Sequence, residues 1–362
     1  MLVFGGSTTT TIGCGRGGGP RDGMGPEGTV AASSAGSMAG ASARSPTKVA
    51  PSPSPPGPRR ATGPWRFEAA ERVVALGDVH GDLAATRAAL RLAGLIGDGD
   101  DTWTGGRTVL VQTGDMLDRG DDEQAIVDLL LALQRQAANV GGRVHLLQGN
   151  HELMNVAGDF RYVTPGGFAD FDGVPLAPQD RARAKGYAGT ARARAAAFLP
   201  GGPYARKLAP HPVAIVVGRS VFAHGGVLPK HVRYGLARMN AEVTAWLLGE
   251  GRAGLQVVQT PDSPVWSRHF SDRPDPEDCQ RLQRALVALD ADRMVVGHTV
   301  QPTITAACGE RVWRVDVGMA RHYGGQPEVL EITAAGVRPI RAAAPAAPPS
   351  SAVPRGRADG RP

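Results

Sequence analysis

Through the middle of the chain, short apolar runs alternate with amphipathic stretches, and most of the runs end in a glycine-flanked polar loop. Arg72-Val73-Val74-Ala75-Leu76 reads as a strand that gives way to Gly77-Asp78-Val79-His80-Gly81-Asp82, and helical spacing of apolar residues follows over residues 83–93. Residues 108–112, β-branched and apolar, predict a second buried strand. That strand runs into Gly114-Asp115-Met116-Leu117-Asp118-Arg119-Gly120, after which Ile126, Leu129, Leu130 and Leu133 mark a helix over residues 123–137. A third unit has a strand over residues 143–147 before Gly149-Asn150-His151-Glu152.

Farther along, residues 213–217 and Ser220–Ala223 predict two more strands, the second ending in His224-Gly225-Gly226. Met294-Val295-Val296 leads into Gly297-His298-Thr299. Helices are expected near 180–198, over 232–248 and over Pro276–Leu289, and strand-like pieces around 303–306, 311–317 and 328–333 close the domain. This alternation specifies an α/β fold with polar loops at the carboxyl ends of strands, where ligands bind in open α/β sheets.

The flanks do not share the pattern. Residues 1–65 and 335–362 are rich in Gly, Ala, Ser, Pro and Arg and poor in large apolar residues, so both are expected to be disordered. The folded domain is therefore placed at residues 66–334, with residues 158–205 as a loop-rich, Arg- and Ala-rich insertion over the sheet edge. The net charge of +6 sits in the flanks. Residues 1–65 hold six Lys/Arg against two Asp/Glu and residues 335–362 hold five against one, so each flank carries +4 and the remainder −2. A near-neutral domain, with no aromatic interleaving in the basic flanks, argues against a nucleic-acid partner.

Residues 1–65 resemble an organelle-targeting transit peptide: they are hydroxylated and small, carry scattered Arg, and have only Asp22 and Glu27 as acids. No run of 18 apolar residues exists, so no membrane span is expected. Cys14, Cys279 and Cys308 are far apart and form no CxxC, which reads as neither a disulfide framework nor a zinc knuckle and fits a reducing compartment. Gly13-Cys14-Gly15-Arg16-Gly17-Gly18 matches a dinucleotide fingerprint but lacks the preceding strand and following helix. The acidic Gly97–Asp101 stretch lacks the closing Glu of an EF-hand and reads as a solvated turn.

The strand-end loops concentrate the chemistry. His80, His151, His224 and His298 all fall in them, whereas His145, His211, His231, His269 and His322 read as ordinary packed or surface residues. Asp, His and Asn without a thiolate suit two divalent cations such as manganese, iron or zinc. Asp115, on the central strand, is the natural shared carboxylate. Asp78 and His80 on one loop would serve the first ion, and Asn150, His224 and His298 the second. Two such ions can hold a bridging hydroxide for in-line attack on phosphorus. His151 next to Asn150 is the candidate general acid, with Asp118 to orient it. Arg119 and Arg268 are candidate phosphate clamps. Glu152 and Asp82 are assigned supporting roles.

Gly-Asp-Val-His-Gly, Gly-Asp-Met-Leu-Asp-Arg-Gly, Gly-Asn-His-Glu, His-Gly-Gly and Gly-His-Thr, in this order, resemble the calcineurin-like metallophosphoesterases of the PPP protein phosphatase type. Gly158-Asp159-Phe160-Arg161-Tyr162, Ser263-Pro264-Val265-Trp266-Ser267-Arg268 and Val315-Asp316-Val317-Gly318-Met319 narrow the resemblance to the Shewanella-like protein phosphatases of plants and algae, over roughly residues 70–334. The resemblance implies a four-layer αββα sandwich, hydrolysis of Ser/Thr phosphoproteins, a manganese or iron/zinc centre, insensitivity to toxin inhibitors, and a chloroplast address, with cytoplasm or mitochondrion as the alternatives. Residues 163–200 are shorter than the corresponding region of chloroplast members. Two other readings share the motifs: a nucleotide hydrolase of the diadenosine-tetraphosphatase kind, and an inactive scaffold that binds phosphoproteins.

Overall fold

The computed structural model describes residues 65–342. The transit-peptide segment, the Gly13–Gly18 motif and Cys14 lie outside the described residues. The strands are β1 (Arg66–Phe67), β2 (Arg72–Leu76), β3 (Val109–Gln112), β4 (Arg143–Leu146), β5 (Ala214–Val217) and β6 (Ser220–Ala223). After them come β7 (Arg293–Val296), β8 (Thr305–Ala307), β9 (Val312–Arg314), β10 (Glu328–Thr333) and β11 (Gly336–Arg341). The first helices are α1 (Leu83–Leu92), α2 (Glu123–Asn139), α3 (Asn150–Ala157), α4 (Pro165–Ala169), α5 (Pro178–Arg183) and α6 (Thr190–Phe198). The remainder are α7 (Pro203–Leu208), α8 (Pro229–Tyr234), α9 (Leu236–Leu248), α10 (Ala253–Val258) and α11 (Pro276–Leu289).

Two sheets form. One has the order β1-β5-β6-β7-β9-β8 and the other β11-β10-β2-β3-β4. Residues of both, among them Leu76, Leu110 and Val111 from one and Ile215, Phe222 and Val295 from the other, join a single buried apolar core. Helices cover the outer faces: α1 packs on β10, α2 on β4, and α9 on β5. The result is the layered αββα sandwich expected from the motifs.

The strands that carry the motifs are adjacent and parallel. β2, β3 and β4 pair in register, with Leu76 opposite Gln112 and Gln112 opposite Leu146, so their three exit loops emerge side by side. β6 and β7 do the same in the other sheet, Ala223 opposite Val296. Of these, β2, β3, β6 and β7 are largely buried apolar runs, as strands covered on both faces must be.

Several expectations need correction. The tail placed at 335–362 begins with a strand: Gly336–Arg341 pairs antiparallel with β10. Val337 and Ile340 are half-buried in it, and Pro339 is tolerated because β11 is the sheet edge. The helix near 180–198 is two helices, since residues 184–189 break it and Gly189 takes a positive φ of 56°. The helix at 232–248 is likewise divided at Gly235, where φ is 97°. Cys279 and Cys308, although 29 positions apart, form a disulfide that ties α11 to the β8–β9 turn, with Cα atoms 5.3 Å apart. Sequence spacing cannot reveal a pair that only the fold brings together, and the inference of a reducing compartment loses its basis.

Candidate active site

The exit loops are tightly wound. The backbone is left-handed at His80, Asp115, Asp118, Arg119 and His298. Such conformations cost non-glycine residues of order 1 kcal/mol or more each and persist only where surroundings impose them. Here the surroundings are neighbouring loops. The N–H groups of Val79 and His80 both donate to the Asp115 carbonyl, Gly81 N–H donates to Met116, and Gly297 N–H donates to the His224 carbonyl. Glu152, buried in the first turn of α3, accepts from the N–H groups of Asp115, Met116 and Gly149 and so stitches two loops together. Its predicted supporting role fits that contact pattern. Asp82 caps α1 through the Ala85 N–H and also accepts from Arg321 N–H.

At the centre, Asp115 Oδ2 lies 3.7 Å from His80 Nε2, 3.8 Å from His151 Nε2 and 3.2 Å from His224 Nε2. Among the described residues, two groups offer donor atoms within 4.8 Å of one another: His80, Asp115 and His151, and Asp115, His224 and His298. Asp115 belongs to both. The backbone fixes the tautomers, because His80 Nδ1 donates to the Leu117 carbonyl and His224 Nδ1 to the Thr113 carbonyl. Each bond leaves Nε2 as the lone-pair nitrogen, the arrangement in which a ligating histidine is usually held. Asn150 Oδ1 sits 2.9 Å from His224 Nε2. The Asp78 carboxylate accepts from the His298 N–H through Oδ2, while its Oδ1 and the Nε2 of His298 are buried without a hydrogen-bond partner. Unpartnered donor atoms in a buried nest of carboxylates and imidazoles fit a site for divalent cations.

The electrostatics agree. Burial, and then the negative charges of Asp316 and Asp115, push the Asp78 carboxyl well above the usual range. Burial would also raise Asp115, but His224, His151 and His80 outweigh it and hold the group well below 3.8. Burial dominates at His80 and pushes it down to about 4, and His298 is lowered for the same reason with His224 adding repulsion. His151 is the exception. Burial lowers it, yet the Asp115 charge and the hydrogen bond to Asp118 prevail and raise it to about 8.

The structure thus brings Asp78, His80, Asp115, Asn150, His151, His224 and His298 into one buried cluster, with Asp118 behind His151. His151 stands with His80 and Asp115 in one group of donor atoms, and Asp78 lies beside the other, its Oδ1 3.9 Å from His224 Nδ1. Arg119 lies over the Tyr162 ring at 4.1 Å, and its buried Nε has no hydrogen-bond partner. Arg268 is exposed and tethered through Nη1 to Thr299 Oγ1 at 2.7 Å, beside the His298 carbonyl. Two arginines at the rim of an acid-and-imidazole cluster can grip a phosphate.

Residues the motifs did not mark also belong here. Asp316 is buried against Asp78, with its own carboxyl pushed up to about 6 chiefly by burial. The Tyr323 ring is 5.4 Å from His80, and Tyr162 is 5.1 Å from His151. Asp316 and Tyr162 lie inside stretches that carried the resemblance, which was the only signal available for them.

Residues 71–302 match the family model for calcineurin-like phosphoesterase. The chain is similar to Shewanella-like protein phosphatase 2 of Arabidopsis thaliana, 42% identical over 301 residues that cover 74% of this chain and 76% of that one. It is also similar to Shewanella-like protein phosphatase 1 of Plasmodium berghei, 30% identical with 75% and 74% covered. Among solved structures, a cold-active protein tyrosine phosphatase superposes with a TM-score of 0.63 over 76% of this chain and 77% of that one, at 23% identity, a likeness of fold.

Proposed function

Because the chain belongs to the calcineurin-like phosphoesterases, alongside the Shewanella-like protein phosphatases, we propose that it is a metal-dependent Ser/Thr phosphoprotein phosphatase with a dinuclear centre. The observation that carries this reading is the sharing of Asp115 by two donor groups, with the His151–Asp118 pair directly beside it. His80, Asp115, His224 and His298, with Asp78 and Asn150, would hold the ions. Divalent ions bound there would supply Lewis-acid charge to the phosphoryl oxygens and a more acidic water. Manganese suits the donor set, and iron or zinc suits it as well.

The chain's own groups supply the rest. Arg119 and Arg268 bind and orient the phosphate, and Tyr162 keeps the Arg119 guanidinium flat against the wall of the site. Water attacks phosphorus opposite the ester oxygen and the P–O ester bond breaks. The departing serine or threonine oxygen takes the proton of His151 Nε2. Asp118, bonded to Nδ1, keeps the ring in the orientation that presents Nε2. An alkoxide needs that proton more than a phenolate does, which favours Ser/Thr esters over phosphotyrosine.

Initial rates of the manganese-loaded protein on phosphoserine, phosphothreonine and phosphotyrosine peptides, and on diadenosine tetraphosphate, test the proposal. Faster turnover of the Ser/Thr peptides supports it. Preference for phosphotyrosine or the nucleotide would overturn the specificity, and no turnover above that of Asp115→Asn would favour the scaffold. Chloroplast import by residues 1–65 is part of the same proposal, supported by their composition. A fluorescent reporter carrying them that stays in the cytosol or enters mitochondria would reject it.

A further inference from the structure

Arg194 is the largest fully buried side chain in the described protein, and it sits on α6 within the 158–205 insertion. All five guanidinium N–H groups are used. Nε donates to Asn155 Oδ1 (2.7 Å), Nη1 to Glu123 and to the Gly167 carbonyl (2.8 Å), and Nη2 to Glu123 Oε1 (3.1 Å) and Asp118 Oδ1 (3.1 Å). The rings of Phe171 and Phe198 flank it at 4.8 and 5.0 Å.

Burying an arginine and two carboxylates is costly, and well-packed apolar side chains of the same volume are often no less stabilising. A purely structural account of this cluster is therefore weak, whereas its geometry points at the site. Asp118 Oδ1 accepts from Arg194 and from Asn155 Nδ2 (2.9 Å), and the Asp118 N–H donates to Glu123 Oε1 (2.6 Å). With one carboxylate oxygen and its backbone so occupied, Asp118 has Oδ2 left for His151 Nδ1 at 2.6 Å.

We propose that Arg194 is a positioning residue for the leaving-group acid: by engaging Oδ1 of Asp118 it aims Oδ2 at His151 and so fixes the imidazole that protonates the ester oxygen. The inference rests on the reading of His151 as that acid. It also makes the 158–205 insertion a support of the reacting groups.

The test compares the full-length, manganese-loaded wild type with Arg194→Met, Arg194→Lys and Asp118→Asn on two esters, p-nitrophenyl phosphate and phenyl phosphate. The second leaves as the more basic phenolate and depends more on the acid. Arg194→Met is expected to lower kcat on phenyl phosphate by at least about tenfold more than on p-nitrophenyl phosphate, with KM nearly unchanged on both, and Asp118→Asn is expected to behave alike. Arg194→Lys should retain part of the difference. The Arg194 and Asp118 substitutions combined should lose little beyond either alone. Equal losses on the two esters for Arg194→Met, beside unequal losses for Asp118→Asn, would overturn the positioning role. If Arg194→Met does not fold, the same comparison on Arg194→Lys decides: an unequal loss supports the role, and an equal loss or none overturns it. Equal losses for Asp118→Asn would remove the acid assignment itself, and the inference with it.

Discussion

His151 Nδ1 lies 2.6 Å from Asp118 Oδ2, and both side chains are nearly closed to solvent. The contact joins the α3 N-terminus to the loop after β3 and leaves one imidazole nitrogen for the substrate. Replacement of His151 by Asn should lower kcat on a phosphoserine peptide by roughly 10²- to 10⁴-fold with KM changed little, the range that removal of a general acid gives. Steady-state kinetics with saturating manganese check this. A loss confined to KM would assign His151 to binding instead.

The two arginines should differ. Arg119 is half-buried against Tyr162, so its Ala variant should lose about 10- to 100-fold in kcat/KM, as a charge-assisted hydrogen bond to phosphate implies. Arg268 is exposed and shares its donors with Thr299, and its Ala variant should lose less. Competition by inorganic phosphate offers a second measurement: its inhibition constant should rise in both variants, and more for Arg119→Ala.

Gly149 is a position where bulk alone decides. A Cβ there would fall on the Asp115 carboxylate, 2.9 Å from Cγ and closer still to Oδ1. Gly149→Ala should cut bound metal per chain and activity together, whereas Gly173→Ala, with open space around its Cβ, should leave both intact. Elemental analysis of the purified proteins distinguishes the two; full metal content in Gly149→Ala would contradict the placement of Asp115.

In chelator-treated protein, stability should fall as pH rises from about 6.5 to about 8. The folded His151 holds its proton up to about 8 against 6.5 unfolded, so its contribution is complete below 6.5 and lost through 8. Glu123 and Glu152, both raised to about 7 chiefly by burial, act in the same direction. The histidines lowered by burial, such as His80 and His211, still bind protons in the unfolded state just above 6.5 and so offset part of the fall there, which leaves the steepest drop between about 7.5 and 8. Thermal melts of chelated protein at pH 6.5, 7 and 8 test this. A midpoint that holds or climbs across the window is the contrary result.

The Cys279–Cys308 bond closes a loop of about thirty residues and should be worth about 2–4 kcal/mol. Cys308→Ser, or a reductant, should lower the melting temperature by several degrees. Identical melts with and without reductant would argue that the bond is not formed in solution.

Much of the site was legible because its chemistry is local. Each of Asp78, Asp115, Asn150, His224 and His298 follows an apolar strand within a few residues, and parallel pairing of β2, β3 and β4 makes their exits neighbours. Arg194 was not legible. Its partners Asp118 and Glu123 lie 76 and 71 positions away, and in an Arg-rich segment it looks like every other arginine. The disulfide and β11 escaped for the same reason: both depend on what a folded neighbour presents rather than on local pattern. Tyr323 sits in a loop with no periodicity to read, and only its approach to His80 marks it.

The cluster draws Asp78, Asp115 and Asn150 from one sheet and His224 and His298 from the other, so cations gripped by both halves would act as a clasp across the sandwich. Withdrawing them would free the two edges to breathe apart while each sheet stayed intact. Amide exchange would then quicken at residues 77–81 and 297–299 ahead of the strand interiors, and changes in divalent cation supply would register as slackness along one rim.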